Sequence, residues 1–202
     1  MPVSVVPSLV FDVPLDPSVL GSVTLRLRSG ELQPGGTVGY SLVDRKLSFT
    51  PGVLLRSSLA YQLVLADGVK GIDGSTPRTL VPAVFVTGNT DEGRLPSPPD
   101  PSFDDDVAPL LENRCGSCHG GDRPSAGLTL WPSERLSEAF TALSTEWVGW
   151  RLIAVGSPER SYLLYKVTGS PGLVGERMPP GDALTRDQAA ALERWVALGA
   201  PR

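Results

Sequence analysis

The sequence predicts two domains of different class: an all-β sandwich over residues 1–88 and an all-α domain over residues 103–202, joined by a linker over 89–102. Three observations predict this. Before residue 88, apolar and polar side chains alternate in short runs, the period of a half-buried strand. Beyond residue 103 the apolar spacing changes to three and four, the period of an amphipathic helix. Between the two lies a stretch with Pro96, Pro98, Pro99 and Pro101 that holds no core-forming run and reads as an extended spacer. A chain of 202 residues suffices for one large or two modest domains, and 22 glycines with 20 prolines favour short elements and many turns.

The strands follow in order. Val23-Thr24-Leu25-Arg26-Leu27-Arg28 alternates as a strand with one wet face should. Gly35-Gly36 marks a turn, and Val38 to Leu42 is the next strand. Lys46-Leu47-Ser48-Phe49-Thr50 is stopped by Pro51-Gly52. Ala60 to Leu65 ends at the turn residues Ala66-Asp67-Gly68, and Ala83 to Thr87 completes the set. Short strands at this spacing suggest a sandwich.

The helices come next. Asp104-Asp105-Asp106 is an acidic start, favourable at the positive end of a helix dipole. Val107, Leu110, Leu111 and Arg114 have helical spacing, and Pro109 is tolerated in a first turn, so the helix is placed from about Asp106 to Cys115. Ser133 is placed as cap of a second helix through Leu136, Ala139, Phe140 and Leu143. Ser157-Pro158 opens a third, with Tyr162, Leu163 and Val167 inside. The last is the clearest: Thr185 and Gln188 form a capping box, Leu184 and Ala189 a hydrophobic staple, Leu192, Trp195 and Val196 one face, and Gly199 the stop. All four tryptophans, Trp131, Trp147, Trp150 and Trp195, fall in this half and are assigned to ordinary core packing, with contact between one of them, not singled out, and a bound cofactor as the alternative.

A net charge of −4 argues against a nucleic-acid partner. No apolar run is long enough to span a membrane. Met1 to Val10 has neither a basic start nor a long apolar stretch, so no signal peptide is read there.

The chemistry concentrates in Cys115-Gly116-Ser117-Cys118-His119, which holds every cysteine and the one histidine of the chain. The pattern reads as a site of covalent haem attachment. Each thiol adds its S–H across one vinyl group of the porphyrin, and the next imidazole reaches the iron. Three alternatives stand beside it. Structural zinc needs about four ligands, and the chain has no second Cys/His cluster. A C-x-x-C redox pair usually opens a helix after a strand, and no strand precedes this one. A disulfide between Cys115 and Cys118 suits an exported protein.

For a second axial ligand no other imidazole exists, and methionine is a common partner of histidine. Met1 precedes a β-rich region far from the motif. Met178 lies in Gly175-Glu176-Arg177-Met178-Pro179-Pro180-Gly181, a loop that two prolines stiffen. It is the candidate ligand, with core gap-filling as the plain alternative.

Two resemblances rest on longer stretches. Asp12 to Ser18, Leu47 to Pro51, Tyr61 to Lys70 with Asp73-Gly74, and Phe85 to Gly88 resemble the bacterial Ig-like domains of surface and periplasmic proteins, through loose motifs that encode turns and strand faces. The first strand reads as clipped, which suggests upstream sequence. Residues 103–202 resemble a single-haem class I cytochrome c domain. The match runs through Val107 to Leu111, Cys115 to Gly120, Ala126 to Leu130, Val155 to Leu163, Arg177 to Gly181, Leu184-Thr185 and Trp195 to Pro201. The resemblances imply an N-terminal Ig-like sandwich and a C-terminal all-α cytochrome c fold whose first and last helices cross beside the haem. They imply Cys115 and Cys118 as thioether anchors, His119 and Met178 as axial ligands, and Leu128, Leu130, Tyr162, Leu163 and Pro179 as pocket walls. Arg177 is a candidate for a haem propionate, with a solvated surface role as the default. The usual proline whose carbonyl orients the proximal imidazole has only Pro124 as a candidate.

One covalent haem c with both iron faces filled implies outer-sphere electron transfer to a redox partner protein rather than catalysis. The alternatives are a peroxidase-like haem enzyme in which Met178 leaves the iron, and a non-catalytic structural or interaction protein. Attachment of this kind belongs to extracytoplasmic compartments, so the expected location is the periplasm or cell surface of a bacterium, with an export signal removed or lying upstream.

Overall fold

A computed structural model describes residues 1–27, 35–65, 67–76, 83–91 and 99–202, with side chains from 22 to 27 left aside. The chain divides into two compact units, Met1–Pro98 and Pro99–Arg202.

Among the described residues of the first unit, six strands form two antiparallel sheets of three. β1 (Ser8–Val10), β4 (Lys46–Pro51) and β3 (Gly36–Ser41) make one, in the order β1-β4-β3. β2 (Val23–Leu27), β5 (Ala60–Leu65) and β6 (Ala83–Val86) make the other, in the order β2-β5-β6. Alternation places side chains as expected: along β4 Leu47 and Phe49 are buried, and along β5 Tyr61 and Leu63. These four join Leu15, Leu55, Val69 and Phe85 in one core. The rings of Tyr61 and Phe85 stack at 5.7 Å between centroids. Arg28 at the end of the expected first strand and Ala66 of the expected turn fall outside the described residues, as does 92–98 of the expected linker.

Gly36 shows why a glycine opens β3. A Cβ there would overlap Cζ of Phe49, and φ is +155°. Gly36→Ala should therefore cost about 1–3 kcal/mol through overpacking of a buried ring. Gly39→Ala, on the same strand with nothing within 4 Å of the new methyl, should cost little. Urea unfolding of the two variants checks this: equal midpoints would contradict it.

The second unit is built on four helices. Ser102 caps a π turn over Phe103–Val107: its hydroxyl accepts from the Asp105 N–H at 3.3 Å, and its own N–H donates to the Asp106 carboxylate at 2.8 Å. α1 (Ala108–His119) follows directly and runs one turn beyond the expected end, so the whole Cys115–His119 motif lies on its C-terminal turn. Ser133 belongs to a 3-10 turn (Ser133–Arg135) with no side-chain cap, and α2 is only Ser137–Thr141. Pro158 opens a 3-10 turn, after which α3 (Tyr162–Thr168) starts afresh. α4 (Arg186–Ala197) carries the expected box: the Gln188 N–H donates to Thr185 Oγ1 at 3.2 Å, and the Thr185 N–H to Gln188 Oε1 at 2.9 Å. Leu184, Ala189, Leu192, Trp195 and Val196 are buried. α4 packs on α3, on the 3-10 turn at Pro158–Arg160 and on the π turn that runs into α1.

The fold class therefore needs correction. The expectation was an all-β Ig-like sandwich followed by an all-α cytochrome c fold. Among the described residues the chain is of mixed class, with four helices and two small sheets. The first unit's described strands are three to six residues long, with a 3-10 helix at Pro17–Ser22 between β1 and β2. The second unit contains isolated β-bridges at Gly120–Trp131, Leu143–Arg151 and Arg151–Ser161 between short helices and long irregular stretches. The reason is local: frequent Gly and Pro cut each periodic run before it grows into a uniform layer.

Candidate functional site

The site begins on the last turn of α1. Cys115, Cys118 and His119 are spaced i, i+3 and i+4, so the helix sets all three on one face. A short turn returns the chain to them: the N–H groups of Leu130 and Trp131 both donate to the His119 carbonyl, at 2.8 and 3.2 Å. Gly120 permits the return, since a Cβ there would lie 2.5 Å from the Gly116 carbonyl oxygen.

His119 is oriented by Ser125. Its Nδ1 lies 3.2 Å from the Ser125 carbonyl oxygen, which can only accept, so the contact calls for a proton on Nδ1, and in the neutral ring that tautomer has its lone pair on Nε2. The sequence offered Pro124 for this role. The Pro124 carbonyl accepts instead from the Gly127 N–H at 3.0 Å.

Both cysteines carry free thiols, Cys118 exposed and Cys115 partly buried. Burial pushes the Cys115 thiol up to about 11, against the opposing pull of Arg114 and with a further push from Cys118. A redox-active C-x-x-C pair needs the opposite, a thiol lowered toward neutrality.

Facing the motif is a cavity of ≈ 600 Å³, within the roughly 300–1,000 Å³ usual for small-molecule and cofactor sites. Cys115, Cys118, His119 and Met178 all line it. So do the five residues expected as walls, Leu128, Leu130, Tyr162, Leu163 and Pro179. Leu130, Tyr162 and Leu163 are buried from solvent. Arg177 is not among the lining residues; its Nε donates to the Val167 carbonyl at 2.8 Å. No tryptophan is among the lining residues. Trp147 backs the wall from behind, with ring centroids 5.1 Å from Tyr162 and 5.0 Å from Tyr165.

Sequence reasoning missed a polar group in this wall. The Tyr162 hydroxyl donates to Glu146, and Lys166 Nζ lies 3.0 Å from Glu146 Oε2. Burial and then the Glu146 carboxylate push the Tyr162 phenol well above its ordinary range. Burial works against the Glu146 charge, but the bonds from Tyr162 and Lys166 outweigh it and hold the carboxyl below its usual value. Lys166 had one legible signal, its place four residues after Tyr162 on the same helix face. Glu146 lies in an irregular stretch and had none.

This donor set fits a covalently held haem: two thiols, an imidazole with Nε2 unengaged and a thioether all line one largely apolar cavity. Among the described residues no group of three or more His, Cys, Asp and Glu is gathered as a metal site of the zinc kind. Among the described residues, too, no helix is long and apolar enough to cross a membrane.

No protein-family model matches the chain, and no curated protein matches it. Among solved structures it is similar to surface layer protein SbsC, domains 1–6, at 19% identity and a TM-score of 0.32. The alignment covers 41% of this chain and 12% of that one. A likeness this loose carries no argument about fold or function.

Proposed function

We propose that residues 99–202 hold one haem c through Cys115 and Cys118, with His119 and Met178 as axial ligands, and serve electron transfer to a redox partner protein. The observation that carries the reading is the convergence of these four side chains, 63 residues apart at the extremes, on one largely apolar cavity. When bound there, haem supplies one-electron iron chemistry. The chain supplies the rest. Ser125 fixes the imidazole tautomer that leaves Nε2 for a metal. Leu128, Leu130 and Leu163 exclude water, which raises a haem potential by disfavouring the extra ferric charge. The cysteines retain the group where a unit of this size cannot enclose it. The first unit is a β-rich spacer, and the location is extracytoplasmic, at the periplasm or surface of a bacterium, because thioether attachment takes place there.

The test is expression together with haem-attachment machinery, then a denaturing gel stained for haem. A stained band at the mass of the chain is expected, and its absence refutes the reading. Met178→Ala in the loaded protein should abolish the weak far-red absorption of a sulfur-ligated ferric haem and speed carbon monoxide binding to the reduced form. An unchanged far-red band removes Met178 as ligand. Rapid carbon monoxide binding by the unmodified protein would favour a haem enzyme with a displaceable Met178 over an electron carrier.

A further inference from the structure

We propose that Lys166 is the positioning residue that holds Met178 at the cavity, an assignment that rests on the haem reading for its purpose but not for its geometry. No helix or strand lies between α3 and α4, so nothing regular fixes the backbone on which Met178 sits. One residue does so instead. The Lys166 side chain is 11% exposed, and its Nζ donates to the carbonyls of Val174 at 2.7 Å and Glu176 at 3.3 Å while pairing with Glu146 at 3.0 Å. An ammonium has three donors, and each has an acceptor. The main chain of the same residue takes the next step of the loop: the Lys166 carbonyl accepts from the Met178 N–H at 3.0 Å.

Lys166 thus grips the loop at Val174, Glu176 and Met178, with Arg177 tied to the neighbouring carbonyl of Val167. Glu146 gives the buried ammonium its counter-charge, which such a group requires. On the other side, Arg114 of α1 pairs with the Asp182 carboxylate at 2.8 Å and donates to the Asp182 carbonyl at 2.7 Å. The segment from Val174 to Asp182 is therefore anchored to α3 at one end and to the cysteine-bearing helix at the other. The anchoring holds the distal side of the cavity in place before any ligand enters. A compact ammonium suits this task, because two carbonyls and a carboxylate converge on one point.

Amide hydrogen exchange of the apo protein provides the readout. In the unmodified protein the Met178 amide should be protected, and an amide exchanging at the free-peptide rate overturns the proposal outright. Lys166→Met, which keeps the apolar stem, should accelerate exchange at Met178 by about ten-fold, the scale of one charge-assisted hydrogen bond. Amides at the centre of α4 should be unaffected. Lys166→Gln, which retains two N–H donors, should lie between and covers the case in which the methionine variant fails to fold. Equal Met178 exchange in all three proteins removes Lys166 from the role. In the haem-loaded Lys166→Met protein the far-red sulfur band should weaken while the haem stays covalent. A loaded unmodified protein without that band refutes Met178 as ligand, whereas the exchange comparison still decides whether Lys166 holds the loop.

Discussion

Replacing both Cys115 and Cys118 with alanine is expected to remove all haem stain from a denaturing gel, with the folded protein still produced. Each thiol supplies one thioether, and no other cysteine exists to substitute. Single variants should keep one link and stain more weakly. The two positions are not equivalent: Cys118 is exposed, whereas Cys115 is partly buried and burial pushes its thiol up. An S–H that stays protonated suits addition to a vinyl group within a slot. It ill suits a dithiol redox couple, where a thiolate must attack. The same double variant therefore separates the two readings. Under the haem reading it loses a chromophore, and under the redox reading it loses only thiol–disulfide exchange. Persistent stain in the double variant would mean that the haem is held by something other than these sulfurs.

Trp195→Ala should be the most destabilising substitution in the second unit. Trp195 has no solvent exposure. Its ring lies 6.0 Å from those of Phe103 and of Phe140, and its Nε1–H donates to the Pro201 carbonyl at 2.8 Å. The substitution opens a large cavity and leaves a carbonyl without its donor, at a cost of about 3–5 kcal/mol. Domains are stable by only about 5–15 kcal/mol, so a unit of this size could lose most of its margin. Since each kcal/mol moves the melting point of a ~100-residue domain by roughly 4–8 °C, a fall of about 12 °C or more is expected. Thermal or urea unfolding followed by circular dichroism checks it. Trp195→Phe keeps most of the ring contacts and should lose much less. Because Trp195 does not line the cavity, folded protein at low temperature should still retain haem. Haem loss without loss of stability would place Trp195 at the site after all.

Legibility followed the range of the interactions involved. β4 and β5 were readable because alternation is a property of neighbours along the chain, and α4 because its cap, its apolar face and its terminal glycine lie within 15 residues. β1 was missed: three residues that pair with Leu47 and its neighbours leave too short a pattern to count. The start of α1 was placed to within a turn, but its end was not, since nothing local stops a helix at Cys115 and the chain turns only where Gly120 meets the carbonyl of Gly116. The fold class was misread for a related reason. Period marks where a strand or helix can form, and says nothing about how few residues will join each sheet or how much irregular chain will lie between helices.

By itself the sequence determined the chemistry available: two thiols and an imidazole in five residues, one internal methionine between loop breakers, and the caps and faces of the longer elements. These are covalent facts and short-range periodicities, which no folding step can alter. Tertiary structure decided what those groups meet. It put Met178 on the cavity that α1 opens onto, gave His119 the Ser125 carbonyl in place of Pro124, turned Arg177 toward Val167, and joined Glu146, Tyr162 and Lys166 across 20 residues of chain. Such contacts form only when burial brings distant segments together, and a buried charge then takes whatever partner lies within reach, because leaving it alone costs more than any local preference can repay.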